Sequence, residues 1–150
     1  IEARGFTAQD FARYHPGGAL GSALARVEDL MHGGETMPII ASGASMGDAL
    51  IEMSTKGFGC IGVRAEDGTL AGIVTDGDLR RNMSANLTSQ SVDHVMTRFP
   101  MTVEPDTLAS EALRRMTAGS RKITQLFVCE AEGKPVGLLH IHDLLRAGVS

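Results

Sequence analysis

The chain has 150 residues, enough for one ordinary domain or two small intertwined ones, and a globular composition: 43% hydrophobic, 21% charged, mean hydropathy +0.01. A net charge of −4 and a sequence pI near 5.7 argue against nucleic acid or an anionic membrane as the main partner, while small anions need only local positive charge. No apolar run approaches a membrane span, no signal peptide is visible and the first residue is Ile1, so a cytoplasmic piece of a longer protein is expected.

Residues 1–26 form a lead-in. Thr7-Ala8-Gln9-Asp10 reads as a capping box, with Phe6 and Phe11 placed as a hydrophobic staple. His15-Pro16-Gly17-Gly18 stops that helix, because proline removes a donor and disfavours helical backbone before it. A second helical stretch, Ala19–Ala25, follows. Met37–Ile40 is a short extended segment, and Ser45 caps a helix with Asp48 completing its box. Met46, Ala49, Leu50 and Met53 make one apolar face, and Lys56-Gly57 ends the helix. Cys60–Arg64 and Leu70–Val74 read as strands around a Glu66-Asp67-Gly68 turn, and Asp76–Met83 as the closing helix. Ser84–Ser91 is a polar linker. The second half reads Met101–Val103, Thr107–Ala118, Gln125–Cys129, a Glu132-Gly133-Lys134 turn, Val136–His140 and Ile141–Ala147.

The two halves are copies. Gly72-Ile73-Val74-Thr75-Asp76-Gly77-Asp78-Leu79-Arg80-Arg81 returns as Gly137-Leu138-Leu139-His140-Ile141-His142-Asp143-Leu144-Leu145-Arg146, 65 residues on. Val27–Met31 matches Val92–Met96 and Cys60–Val63 matches Gln125–Val128 at the same offset. The helix Ser45–Met53 matches Leu108–Met116 at 63, so a small insertion precedes the next strand of the second copy. Each unit is β-α-β-β-α, giving an α/β (α+β) fold of two pseudo-symmetric halves, 27–84 and 92–150, joined by 85–91. Two copies of a marginal length share a core more readily than either builds one alone. A doubled strand–Asp–helix unit points to two paired half-sites rather than to one catalytic centre.

This βαββα duplication, with Thr75-x-x-Asp78 closing the first unit, resembles a pair of CBS domains over about residues 27–150. The flanks narrow the resemblance. Phe6–Ala12, His15–Gly21, Thr75–Arg81 and His140–Val149 are similar to arabinose-5-phosphate isomerases, at the junction joining a sugar isomerase domain to its CBS pair. The resemblance implies a parent enzyme interconverting ribulose 5-phosphate and arabinose 5-phosphate for the Kdo of lipopolysaccharide. It implies that 1–26 is the tail of the isomerase domain and that the chain alone does not catalyse. It further implies that CBS pairs self-associate and that the parent is a homotetramer.

In CBS domains the aspartate matching Asp78 and Asp143 binds ribose hydroxyls, assisted by the residue matching Thr75. A carboxylate suits a vicinal diol because its two oxygens accept two charge-assisted hydrogen bonds. The second copy has His140 in place of the threonine and His142 beside it, so the half-sites are expected to be unequal. The alternative is that both aspartates only support the first turn of their helices. Arg80, Arg81 and Arg146 follow the aspartates and Arg121-Lys122 precedes a strand. These are candidate phosphate clamps, with solvated surface cations as the alternative. Arg64 is a weaker candidate.

Gly57-Phe58-Gly59-Cys60-Ile61-Gly62 spells a dinucleotide fingerprint but follows a helix and opens a strand, the reverse of what that site needs. His140 and His142 do not find the rest of a metal site, and no metal or cofactor is expected. His15 matches the family's His-Pro-Gly-Gly histidine, implying a catalytic proton carrier in the parent only. His32 and His94 have no evident partners. Cys60 and Cys129 lie in apolar strands and read as buried free thiols. The leading expectation is a module sensing a small anionic ligand, CMP-Kdo or an adenine nucleotide; the alternative is an assembly module without a ligand.

Overall fold

The computed structural model describes residues 24–120 and 122–150. The capping box and staple over 6–11, the stop at His15–Gly18, Arg121 and all but the last two residues of the Ala19–Ala25 stretch lie outside them.

The first half runs through α1 (Val27–Leu30), a 3-10 turn (Gly34–Thr36), β1 (Ile39–Ala41), α2 (Met46–Lys56), β2 (Cys60–Arg64), β3 (Leu70–Thr75) and α3 (Asp76–Arg81). After a second 3-10 turn (Leu87–Ser89) come α4 (Val92–Val95), β4 (Thr97–Arg98), β5 (Thr102–Val103), α5 (Ala109–Thr117), β6 (Gln125–Cys129), β7 (Pro135–His140) and α6 (Ile141–Arg146). The Ser45 hydroxyl accepts the Asp48 N–H at 3.1 Å, and Gly57 ends α2 in the left-handed conformation. Only the serine half of the expected box forms. Met46, Ala49 and Met53 of α2, and Ala109, Ala112 and Met116 of α5, are buried as their spacing requires. The polar linker is pinned rather than loose, because Leu87 inserts into the first core.

The four-stranded sheet has the order β1-β2-β3-β4 and the three-stranded sheet β5-β6-β7. In each, the first strand pairs parallel to the second and the second antiparallel to the third. Strand β4 belongs by sequence to the second half but pairs with β3, Ile73 facing Thr97. His32, 65 residues before Thr97, makes the matching bridge to Leu138: its N–H donates to the Leu138 carbonyl at 2.8 Å, and its own carbonyl accepts the Leu138 N–H at 2.9 Å.

The helices ahead of these segments are exchanged too. Val27 packs in a core with Val103, Met116, Leu126 and Leu139, whereas Val92, Val95 and Met96 pack with Met46, Ile61 and Val74. The glycine opening each repeated block makes the crossing close. A Cβ on Gly72 would stand 2.7 Å from both the Met96 sulfur and the Thr97 carbonyl oxygen, and one on Gly137 2.5 Å from the Met31 sulfur. A third cluster, with Met37, Cys60, Ile73, Phe127, Cys129 and Leu138, joins the two sheets. Fully burying a side chain such as Phe127 contributes about 1.5–3 kcal/mol, so neither half is complete without the other. Among the described residues no helix is long and apolar enough to cross a membrane.

Candidate functional site

Each half ends its last strand in a capped helix whose third residue is a buried aspartate. Thr75 donates to one oxygen of Asp78 twice, from its N–H at 2.9 Å and its hydroxyl at 3.1 Å. The other oxygen accepts from the Arg81 guanidinium at 2.5 Å and from the Thr97 hydroxyl at 2.6 Å. Four donors fill the acceptor capacity of a carboxylate that is itself only 2% exposed. The Arg81 side chain is 57% exposed, so its far face meets solvent.

Asp143 repeats the scheme with different donors. One oxygen accepts the His140 N–H at 3.2 Å and lies 2.9 Å from His32 Nε2; the other accepts from Arg146 at 2.5 Å. An ionised carboxylate only accepts, so His32 Nε2 carries the proton of that bond. His32 therefore has a partner, contrary to the sequence reading. Its ring also rests on Phe58, centroids 4.7 Å apart. His140 Nδ1 accepts the His142 N–H at 3.1 Å, and the two rings stack at 4.8 Å. Burial holds the His140 imidazole below its ordinary pKa, reinforced by the neighbouring His142 and opposed by Asp143.

A cleft of about 710 Å³ opens at the Asp78 half-site, within the range of small-molecule pockets. Thr75, Asp78 and Arg81 line it from the first half, and Thr97, Phe99, Met101, Lys122 and Thr124 from the second. The inserted residues build one wall. Seven residues, 118–124, separate α5 from β6, whereas only 57–59 separate α2 from β2. The equivalent short loop beside Asp143 presents Phe58 to His32 instead.

Of the candidates in the sequence, Thr75, Asp78, Arg81 and Lys122 meet in this cleft. Arg80 is exposed and does not line it. His140, His142, Asp143 and Arg146 form their own cluster at α6. His15 and Arg121 lie outside the described residues. Thr97 and His32 were missed as site residues, although both directly follow the matched Val27–Met31 and Val92–Met96 blocks.

The glycine run at 57–62 ends α2 and opens β2, so no helix follows it to receive a pyrophosphate. Among the described residues no group of three or more His, Cys, Asp or Glu side chains stands together as a metal site. Cys60 and Cys129 are buried and free, and burial pushes their thiols up to about 12 and about 11.

The CBS-domain model matches residues 27–85 and again 92–150. Arabinose 5-phosphate isomerase KdsD of Pseudomonas aeruginosa is 52% identical over 152 residues, covering 99% of this chain and 46% of that protein. The enzyme of the same name from Escherichia coli is 46% identical, over 99% of this chain and 45% of that protein. The chain thus spans about half the length of these curated relatives. Among solved structures, CBSX2 from Arabidopsis thaliana superposes with a TM-score of 0.70 at 25% identity, covering 81% of this chain and 92% of that one. CBSX2 in complex with AMP gives 0.68 at 26% identity, over 81% and 94%.

Proposed function

This chain belongs to the CBS-domain family, and from that premise we propose that it is the regulatory pair of an arabinose-5-phosphate isomerase, taking a nucleotide or nucleotide-sugar in the cleft at Asp78. The observation that carries this reading is the meeting there of a carboxylate, a threonine and two cations, Asp78, Thr75, Arg81 and Lys122, drawn from both halves. That set matches a ribose phosphate: the cations suit the phosphate and the carboxylate suits the diol.

We read the order of events from the bonding at Asp78. Its acceptors are full, so a diol needs one of them vacated. The exposed Arg81 is the donor free to move. A phosphate held by Lys122 draws the guanidinium away from Asp78, and the released oxygen accepts a ribose hydroxyl. Thr97 sits on the exchanged strand, so ligand binding at Asp78 acts on the segment that ties the halves together. The proposed compartment is the cytoplasm, where two unpaired buried thiols stay reduced.

The ligand candidates are CMP-Kdo, the activated end product of the parent's pathway, and adenine nucleotides, since CBSX2 was solved in complex with AMP. A thermal-shift panel of CMP-Kdo, CMP, AMP, ADP and ATP on the purified chain tests the reading. A ligand at 100 times its Kd stabilises by about 2.7 kcal/mol, a shift of several degrees for a domain of this size. If every compound leaves the midpoint unmoved at millimolar concentration, the sensing role fails.

A second reading, self-assembly, draws on Ile51, Met83 and Leu145, exposed apolar side chains on or just past α2, α3 and α6. Light scattering tests it: a monomer at high micromolar concentration removes this reading and leaves the first intact.

A further inference from the structure

Phe99 breaks two rules at once. It is the only residue other than glycine with positive φ among the described residues, at 55°, and its side chain is 95% exposed. A left-handed backbone is costly for a residue with a Cβ, and a phenyl ring in water is costly again.

The repeat shows which of these the fold demands. Phe99 stands two residues after Thr97; Gly34 stands two residues after His32, the ladder partner's counterpart in the first half, and has φ 60°. The left-handed turn is therefore common to both halves, and glycine meets it without strain. Nothing lies within 4 Å of where a Cβ on Gly34 would be, so packing does not dictate the residue type there either. The phenylalanine appears in one half only, and there it lines the Asp78 cleft with Met101, Ile123 and the cationic Lys122. It also borders a second hollow of about 260 Å³, so the ring has open volume on two sides.

Resting on the ligand reading above and going one step beyond it, we infer that Phe99 is a stacking clamp that closes on the planar base of the ligand. The cations and Asp78 hold the ribose phosphate, and the ring covers the other end of the same molecule. The occupant is thus a nucleotide rather than a simple sugar phosphate. The half-site at Asp143, with Gly34 in the equivalent position, has no such clamp.

The test measures Kd by calorimetry for AMP, CMP and ribose 5-phosphate on the wild-type chain, Phe99→Ala and Phe99→Gly. Removing an aromatic stacking partner is expected to weaken the tighter of the two nucleotides about tenfold or more. Ribose 5-phosphate, which has no base, is expected to bind all three proteins alike. Phe99→Gly should melt at or above the wild-type temperature while showing the same loss, because it relieves the backbone. The chain has no tryptophan, so Phe99→Trp adds a single fluorophore whose emission a stacked base should quench.

Wild-type nucleotide binding with no change in Phe99→Ala overturns the clamp and leaves the ligand site standing. No binding of any of the three compounds overturns the clamp, and the ligand reading falls with it only when CMP-Kdo, ADP and ATP also leave the melting midpoint unmoved. A change in oligomer mass for Phe99→Ala with nucleotide affinity intact overturns the clamp in favour of a second copy of the chain on this ring.

Discussion

The His32 imidazole lies 2.9 Å from the Asp143 carboxylate across 111 positions of sequence, and the Thr97 hydroxyl repeats the contact on Asp78 at 2.6 Å. Each exchanged segment thus delivers one donor to the buried aspartate of the other half. Removing such a donor from a carboxylate that is 8% exposed costs about 1–3 kcal/mol. His32→Ala should lower the urea midpoint by a corresponding amount, with His32→Gln recovering part of it. Equal midpoints for His32→Ala and wild type would show that the bond contributes nothing to stability.

The paired glycines predict unequal damage. On Gly72 an added methyl meets both the flexible Met96 side chain and the backbone oxygen of Thr97; on Gly137 the three nearest atoms all belong to the Met31 side chain. A side chain yields more easily than a paired strand, and overpacking costs about 1–3 kcal/mol. Gly72→Ala should sit at the upper end of that range and Gly137→Ala at the lower end, as read by chemical denaturation. The reverse order would refute this account of the crossing.

Much of this was legible in the chain because it is local. Ser45 and Gly57 bound α2, the Met46–Met53 and Ala109–Met116 faces are buried, and Cys60–Arg64 and Gln125–Cys129 are strands with the expected bounds. The exchange was not legible. Hydrophobic spacing shows that Val27 and Val92 are buried but not which core receives them, since the two copies present nearly the same apolar surface. The partner of His32 stayed hidden for the same reason, because Asp143 reaches it only through the bridge to Leu138. Phe99 carries no motif, and only its backbone angle against that of Gly34 sets it apart.

His140 gives a pH dependence whose sign follows from its depressed pKa. The folded protein holds this ring below the ordinary value of 6.5, mainly through burial, so the unfolded chain binds its proton first as pH falls. Stability from keeping the ring neutral is full well above pH 6.5 and is lost as pH drops below it. His142, Arg146 and His32 reinforce the depression and Asp143 opposes it. Urea midpoints between pH 8 and pH 5 should therefore fall less steeply for His140→Gln than for wild type. Parallel curves would place the pH response elsewhere.

Cys60 and Cys129 should be inert in the native state. Their thiols, raised to about 12 and about 11, hold little thiolate at pH 8, and both are buried in the layer between the sheets. A thiol-specific chromogenic reagent should label neither until denaturant is added, and then both. Fast labelling of either under native conditions would mean that the inter-sheet layer opens.

The two aspartates, matched in sequence, should separate in function. Asp143→Asn disturbs a cluster whose donors are His32, His140 and Arg146, away from the cleft lining, so it should lower the melting temperature yet leave the ligand-induced shift intact. Arg81→Ala leaves the buried Asp78 carboxylate with three of its four donors and should also lower the melting temperature, by the equivalent of about 1–3 kcal/mol. The same substitution should weaken the tightest ligand of the panel roughly ten- to hundredfold, the value of a charge-assisted hydrogen bond. Both variants thus lose stability, but only Arg81→Ala also weakens the ligand response. Identical ligand shifts in Arg81→Ala and wild type would show that Arg81 serves only to neutralise Asp78.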